Sequence, residues 1–255
     1  MSVRTLRKAR RWTGCLSAVC VLAALSAGPA RGGAFPEAIS FDGMAPVGAL
    51  FTKTPSGGLA HHFCSASVVN SRGGDLVITA AHCMLSRAPG RVVFVPGYSG
   101  HGAPYGTWAV RRVITDRHWA HASDPGDDVA FLIVSRPGGK PRVQSVTGGE
   151  GLSLSLPRQP VVAIGYPDGS LNPVACANST RPFGRNQVEF DCAGYYNGTS
   201  GGPLLTDVSP QTGLGVIVGV IGGYQQGGYT DTVSYTARFG TQVAALYARA
   251  AKSGA

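Results

Sequence analysis

Charged side chains are scarce in this sequence: Asp, Glu, Lys and Arg supply only 14% of its 255 residues, while 44% are hydrophobic. No stretch reaches 18 uninterrupted apolar residues, so a membrane-spanning helix is not expected. Low charge with high apolar content favours a compact, β-rich secreted protein over a disordered chain. The length allows one domain of two lobes or two small domains.

The basic residues are concentrated at the N-terminus. Five Lys or Arg residues lie between residues 4 and 11, an apolar run covers residues 15–25, and small residues follow, which is the layout of a secretory signal peptide. Cleavage after Ala27, Ala30 or Ala34 stays open, as does a twin-arginine route. Removing residues 1–34 takes away six Lys or Arg and lowers the net charge from +9 to about +3. Nucleic acid is therefore not an expected partner, nor is a membrane after cleavage.

Cysteine is also sparse. Two of the six cysteines leave with the leader, and Cys64, Cys83, Cys176 and Cys192 remain. An even number in a secreted chain suggests two disulfides, and the residues alone allow three pairings. A zinc site is disfavoured because C-x2-C spacing and neighbouring paired histidines are absent. We expect neither a metal nor an organic cofactor.

Long amphipathic helices between strands are missing as well, which argues against a parallel α/β sheet. Instead, twelve short β-type runs are separated by Gly, Pro, Asn and Asp, with six on each side of a polar stretch at 135–151. This spacing predicts an all-β barrel or sandwich pair. One helix is expected at the C-terminus, where apolar residues keep a helical period from Phe239 to Ala250.

A serine motif stands at residues 197–203, "NGTSGGP", which contains G-x-S-x-G. A serine hydroxyl needs a base to act as a nucleophile, and histidine is the usual one. All six histidines precede Ser200, so the α/β-hydrolase order of Ser, acid and His is excluded and the order His, Asp, Ser remains. His82 stands at the end of a strongly apolar β run, 75–82, and Asp128 borders the apolar run 129–134. These two are the best candidates for base and acid.

The blocks "ITAAHC", "DDVAFLIV" and "GTSGGP" resemble the three signature blocks of the trypsin-like, chymotrypsin-fold serine peptidases. The 46 residues from His82 to Asp128 are close to the family spacing. "VGALF" at 47–51 and "VGVIGGY" at 218–224 are similar to secreted bacterial members, including glutamyl endopeptidases. The likeness covers roughly residues 45–250.

The resemblance implies a role for each matching residue. Ser200 would attack the scissile carbonyl, His82 would take and return its proton, and Asp128 would orient the imidazole. The backbone N–H groups of Gly198 and Ser200 would form the oxyanion hole. Substrates would be proteins or peptides, and we expect a monomer.

The resemblance also implies the architecture and the disulfides. Residues 35–255 would form one peptidase domain of two six-stranded antiparallel β-barrels, at about 45–140 and 152–240, with a helix at about 238–251. Cys64–Cys83 would match the family's histidine-loop disulfide, which leaves Cys176–Cys192 as the second pair.

The substrate pocket is the part in which this sequence departs from the family. Gly194 stands where trypsin has its specificity aspartate, and the family's serine that braces the catalytic aspartate is replaced near Ile221 and Gly222. Candidate pocket residues are Gly194, Tyr195, Gly222, Gly223 and Tyr224, with Tyr196 beside them. A glutamyl pocket usually has a histidine on the flanking strand, and none exists here. Primary specificity is not predicted.

Thr199 is a further departure, because it replaces the aspartate that pairs with a freed N-terminal amine in trypsin-type zymogens. We therefore expect signal removal to leave a nearly competent enzyme, with removal of a few further residues at 34–43 as the alternative. Two alternatives stand beside an active endopeptidase: a catalytically inactive, protease-like binding protein and a serine esterase on the same fold.

Overall fold

A computed structural model describes residues 35–155 and 160–254, so the predicted signal peptide lies outside the described residues. β-strands make up most of the regular structure, and the chain ends in an α-helix, which confirms the predicted fold class. Within the described ranges, no helix is both long and apolar enough to cross a bilayer.

The first half of the domain is a closed β-barrel. After the two-residue strand β1 (Ile39–Ser40), six strands follow: β2 (Val47–Lys53), β3 (Leu59–Val68), β4 (Leu76–Thr79), β5 (Val92–Pro96), β6 (Trp108–Thr115) and β7 (Ala130–Ser135). They close in the order β2-β3-β4-β7-β6-β5, and all neighbours are antiparallel.

Successive side chains along each strand point to opposite faces of the sheet, and both faces of this barrel are buried. Leu50 packs with Phe94 and Trp108 in one apolar cluster, whereas its neighbours Ala49 and Phe51 belong to a second cluster that includes side chains of the later strands. Because successive side chains point to opposite faces, one strand can join two cores. This explains why the runs are nearly continuously apolar.

The second half is built from two sheets. Its strands are β8 (Gly151–Leu152), β9 (Val161–Gly165), β10 (Val174–Asn178), β11 (Thr180–Phe183), β12 (Gln187–Asp191), β13 (Pro203–Thr206), β14 (Val216–Val220) and β15 (Val233–Ala237). Six strands pair in the order β1-β10-β9-β13-β14-β8, and three in the order β11-β12-β15.

The predicted second barrel differs from this arrangement in detail. The six-stranded sheet recruits β1 from the N-terminal segment and β8 from the segment between the halves, and β8 pairs in parallel with β14. These strands contain two residues each, too few to show an alternating pattern. All twelve predicted runs nevertheless coincide with strands.

Three α-helices complete the described chain: α1 (Arg117–Ala122), α2 (Val143–Thr147) and α3 (Thr241–Ser253). Helix α3 begins three residues later than predicted, because Gly240 is extended and serves as its N-cap. It buries Val243, Leu246 and Ala250, which share one face at helical spacing.

Candidate functional site

The predicted base, His82, lies just after strand β4. The strand ends at Thr79, and His82 belongs to a short 3₁₀ helix, Ala81–Met84, so the predicted β run that continued to His82 was too long. The side chain is almost buried. Its Nδ1 lies 2.7 Å from Asp128 Oδ2, which orients the ring and leaves Nε2 for other contacts.

The carboxylate of Asp128 is fully buried and receives three donors. Oδ1 accepts the backbone N–H of His82 at 2.8 Å. Oδ2 accepts the backbone N–H of Gly223 at 2.7 Å, in addition to its contact with the imidazole. Gly223 therefore occupies the bracing role for which the sequence offers no serine, and its φ of +78° is one that glycine adopts readily. A buried charge with these partners is well compensated.

Ser200 and His82 line the same cavity, which has a volume of about 240 Å³. The Ser200 hydroxyl donates to the carbonyl oxygen of Gln226 at 3.4 Å. Among the described residues, no hydrogen bond joins Ser200 Oγ to His82 Nε2. Catalytic contacts of this type are often long without a substrate and shorten when one binds.

The loop that contains Ser200 is held in place by hydrogen bonds that its backbone carbonyl groups accept. The carbonyl of Asn197 accepts the N–H of Asp168 at 2.5 Å, and that of Thr199 accepts the N–H of Gly202 at 2.9 Å. The N–H groups of Gly198 and Ser200 donate to no acceptor in the described parts of the chain. Gly198 has a φ of +93°, and a Cβ there would lie 2.6 Å from the carbonyl oxygen of Tyr166, so this position requires glycine.

Thr199 is buried inside the loop and fills the position where the family has an aspartate. Its hydroxyl donates to the carbonyl of Tyr196 at 2.8 Å, and its side chain packs on Gly165 so closely that a Cβ on Gly165 would lie 2.7 Å from Thr199 Cβ. The threonine thus satisfies its own polar group locally and presents no charge that needs a partner.

The cavity beside Ser200 differs from the predicted pocket. Its walls include Tyr195 and Tyr196, together with a loop that the sequence did not indicate, residues 225–229. Gln225 and Gln226 have φ values of 53° and 55°, a left-handed conformation that is uncommon for glutamine and that no local sequence motif announced. The cavity lining within the described residues does not include Gly194, Gly222, Gly223 or Tyr224.

Those four residues lie nearby in other roles. A Cβ on Gly194 would lie 3.3 Å from Ala38 of the N-terminal segment, and one on Gly222 would lie 2.9 Å from Asp128 Oδ2. Gly223 braces Asp128, and the ring of Tyr224 packs on Phe183 and Tyr235. Close contact with side chains from distant parts of the sequence, which the sequence itself does not reveal, explains all three glycines.

A second cavity of about 420 Å³ shares residues 195–197 and Tyr229 with the first, and is also lined by Asp168 and Asp231. A hydrogen bond from the Tyr196 hydroxyl to Asp231, and then the charge of Asp231, raise the pKa of Tyr196. Asp231 therefore lies in the wall of this second cavity, next to Tyr196. Asp191, in contrast, is a buried partner of Arg181.

Both disulfides are present as the resemblance implies. Cys64–Cys83 joins β3 to the 3₁₀ helix of His82, and Cys176–Cys192 joins β10 to the end of β12, with Cα–Cα distances of 6.1 and 6.5 Å. The sulfur atoms beside His82 are bonded to each other and are not free to bind a metal.

Among the residues that the structure describes, one other group of potential metal ligands lies on the surface. His118 Nδ1 is 3.4 Å from Asp127 Oδ2 and 3.8 Å from Asp116 Oδ1. The imidazole is largely exposed, so the group acts as an ion-pair cluster when His118 is protonated.

Comparison with known proteins fits this arrangement. The profile of the trypsin-like peptidase domain matches residues 64–236, which contain all three signature blocks. This chain belongs to the trypsin-like peptidase family. It is a serine-type endopeptidase.

Solved structures agree. The protease Anisep from Arthrobacter nicotinovorans matches with a TM-score of 0.68 and 24% identity, over 84% of this chain and 98% of its own. The thermostable serine protease AL20 from an extremophilic microorganism matches with a TM-score of 0.67 and 27% identity, over 82% of this chain and 97% of its own. A Glu endopeptidase in complex with MPD matches with a TM-score of 0.62 and 16% identity, over 85% of this chain and 97% of its own. The first and third likenesses concern the fold.

Proposed function

We propose that this peptidase is secreted and hydrolyses peptide bonds through Ser200, His82 and Asp128, by way of an acyl-enzyme intermediate. The observation that carries the proposal is the buried contact of 2.7 Å between His82 Nδ1 and Asp128 Oδ2, next to a cavity that His82 and Ser200 both line. A buried imidazole–carboxylate pair leaves Nε2 unprotonated and aimed at a nucleophile.

In the first half of the reaction, Ser200 Oγ bonds to the scissile carbonyl carbon while its proton passes to His82 Nε2. The tetrahedral intermediate then collapses, the carbon–nitrogen bond breaks, and the same proton goes to the leaving amine. In the second half, a water molecule gives a proton to His82 and attacks the acyl carbon, and Ser200 leaves with that proton. Asp128 stabilises the imidazolium in both halves and remains ionised.

The oxyanion of each intermediate would accept hydrogen bonds from the N–H groups of Gly198 and Ser200. Support comes from the orientation of their peptides: the carbonyls of Asn197 and Thr199 each accept a hydrogen bond, so the adjoining N–H group of each trans peptide points away from that bond. Fixed donors need no reorganisation when the charge develops, which makes this stabilisation large.

We infer that removal of the leader leaves a nearly competent enzyme that acts outside the cell as a monomer. Thr199 is satisfied inside the loop, so no N-terminal amine is required there. The N-terminal segment is instead paired as a strand: the N–H of Ala38 donates to Ala193 at 2.9 Å, and Ala193 donates to Pro36 at 2.8 Å. N-terminal sequencing of secreted protein, with an activity assay, tests this. An inactive secreted form that gains activity after further cleavage would overturn it.

The catalytic proposal is tested with a fluorophosphonate, which bonds covalently to an activated serine. Wild-type protein should be labelled, and Ser200→Ala and His82→Ala should not, whereas Ser67→Ala, at a buried serine of β3, should be labelled like wild type. Labelling of Ser200→Ala, or no labelling of wild type, contradicts the proposal. Digestion of a peptide library then separates amide hydrolysis from simple esterase activity.

A further inference from the structure

Ser65 is a fully buried residue of β3 that contacts the nucleophile loop twice. Its hydroxyl donates to the carbonyl of Gly198 at 3.0 Å and accepts the N–H of Tyr166 at 2.8 Å. Its backbone N–H donates to the carbonyl of Ser200 at 2.7 Å. One residue of the first barrel is thus bonded to both residues whose N–H groups form the proposed oxyanion hole.

These contacts complete a continuous set. The four consecutive carbonyls from Asn197 to Ser200 accept hydrogen bonds from, in order, the Asp168 N–H, the Ser65 hydroxyl, the Gly202 N–H and the Ser65 N–H. Three of these donors are backbone N–H groups, which every residue except proline possesses. The Ser65 hydroxyl is the one side-chain donor, and a single substitution removes it.

The bond from Ser65 fixes the central peptide of the loop. Because a peptide unit is planar, holding the Gly198 carbonyl sets the orientation of the unit between Gly198 and Thr199, and with it the backbone angles on either side. Gly198, with a φ of +93°, has unusual freedom to rotate. Without the hydroxyl, the Gly198 carbonyl would also be buried without its partner, which favours a different loop conformation.

We propose that Ser65 is a positioning residue of the oxyanion hole, and that its hydroxyl helps to hold the nucleophile loop in its working conformation where the family's ion pair to an N-terminal amine is absent. This inference rests on the proposed catalytic role of Ser200. It adds a residue outside the three signature blocks. It also explains how a loop with Thr199 in place of an aspartate is held by hydrogen bonds from β3.

Ser67 provides a matched control. It lies two residues further along β3 and is equally buried, yet its hydroxyl has no hydrogen-bond partner among the described residues. Ser65→Ala and Ser67→Ala remove the same atom from the same strand. A general loosening of β3 would affect both variants, whereas loss of the oxyanion-loop contact affects only the first.

The experiment measures kcat and KM on a quenched-fluorescence peptide selected by library digestion, together with the inhibition constant of the aldehyde of the same peptide. The aldehyde forms a tetrahedral adduct with the nucleophile and so reports on the oxyanion hole. We expect Ser65→Ala to lower kcat roughly 10- to 100-fold with KM within about twofold of wild type, and to weaken the aldehyde by a similar factor. Ser67→Ala should stay within about twofold in all three constants.

Two results would overturn the inference: an unchanged kcat in Ser65→Ala, or equal losses in the two variants that follow their unfolding midpoints. A KM effect with unchanged kcat is a case of the first result, because the oxyanion forms only after binding. If wild type neither cleaves the peptide nor reacts with the fluorophosphonate, the proposed function itself fails. If wild type is active and Ser65→Ala is equally active, the proposed function stands and only the role of Ser65 fails.

Discussion

Replacing Asp128 by asparagine should separate charge from shape at the buried end of the proposed triad. The carboxylate accepts the His82 N–H at Oδ1, and the Gly223 N–H and the imidazole Nδ1 at Oδ2. An asparagine has one acceptor oxygen and one NH₂ group in nearly the same volume. It therefore cannot serve all three donors in either of its two orientations.

In one orientation, the new NH₂ group faces the N–H of His82 and leaves that buried donor unsatisfied. In the other, it faces Gly223 and Nδ1, so the imidazole must accept there and protonate Nε2, which is the wrong tautomer for a base. Each orientation costs about 1–3 kcal/mol for the unsatisfied group. Both also remove the negative charge that stabilises the imidazolium.

We expect Asp128→Asn to lower kcat roughly 10⁴-fold, or about 5 kcal/mol in transition-state free energy, with a much smaller change in KM. The control is Asp127→Asn, next in the chain, where the carboxylate pairs with the exposed His118 and kcat should stay within about twofold. Steady-state kinetics with a quenched peptide measures both. A kcat for Asp128→Asn within tenfold of wild type would refute the assignment of Asp128.

Three further changes test the scaffold. Replacing Cys64 and Cys83 by serine should lower the free energy of unfolding by roughly 3 kcal/mol, because this disulfide closes a loop with a sequence separation of 19. Denaturant titrations measure this difference, and equal unfolding free energies would show that the bond is unimportant for stability. Gly201→Ala should prevent accumulation of folded protein, because at a φ of +80° its Cβ would overlap Thr79 Oγ1; soluble, active protein would contradict the packing. Burial raises the pKa of Glu150 from 4.5 to about 7, against the opposing effect of a hydrogen bond from the Gly215 N–H. The folded state therefore binds a proton that the unfolded state has lost, and stability should fall by about 3 kcal/mol from pH 4.5 through pH 7. In Glu150→Gln this part of the pH dependence should vanish, and equal pH profiles for the two proteins would contradict it.

The sequence was most informative where side chains alternate or must carry chemistry. Twelve β runs were visible because apolar side chains and turn residues mark them directly, as in β2 and β7. The order of His82, Asp128 and Ser200 along the chain was enough to exclude the α/β-hydrolase architecture. The start of helix α3 and the end of β4 were each misjudged by three residues, since the pattern of apolar residues continues beyond the hydrogen-bonded element.

The sequence by itself thus determined the fold class, the candidate triad and, through the family resemblance, the two disulfides. Only the tertiary structure decided what supports them: the Gly223 N–H on Asp128, the Ser65 hydroxyl on Gly198, and the loop of residues 225–229 in the cavity wall. The physical reason is that these contacts use backbone groups, which every residue carries, or join residues far apart in the chain. Ser65 and Gly198 are separated by 133 positions, and nothing local to either indicates the other.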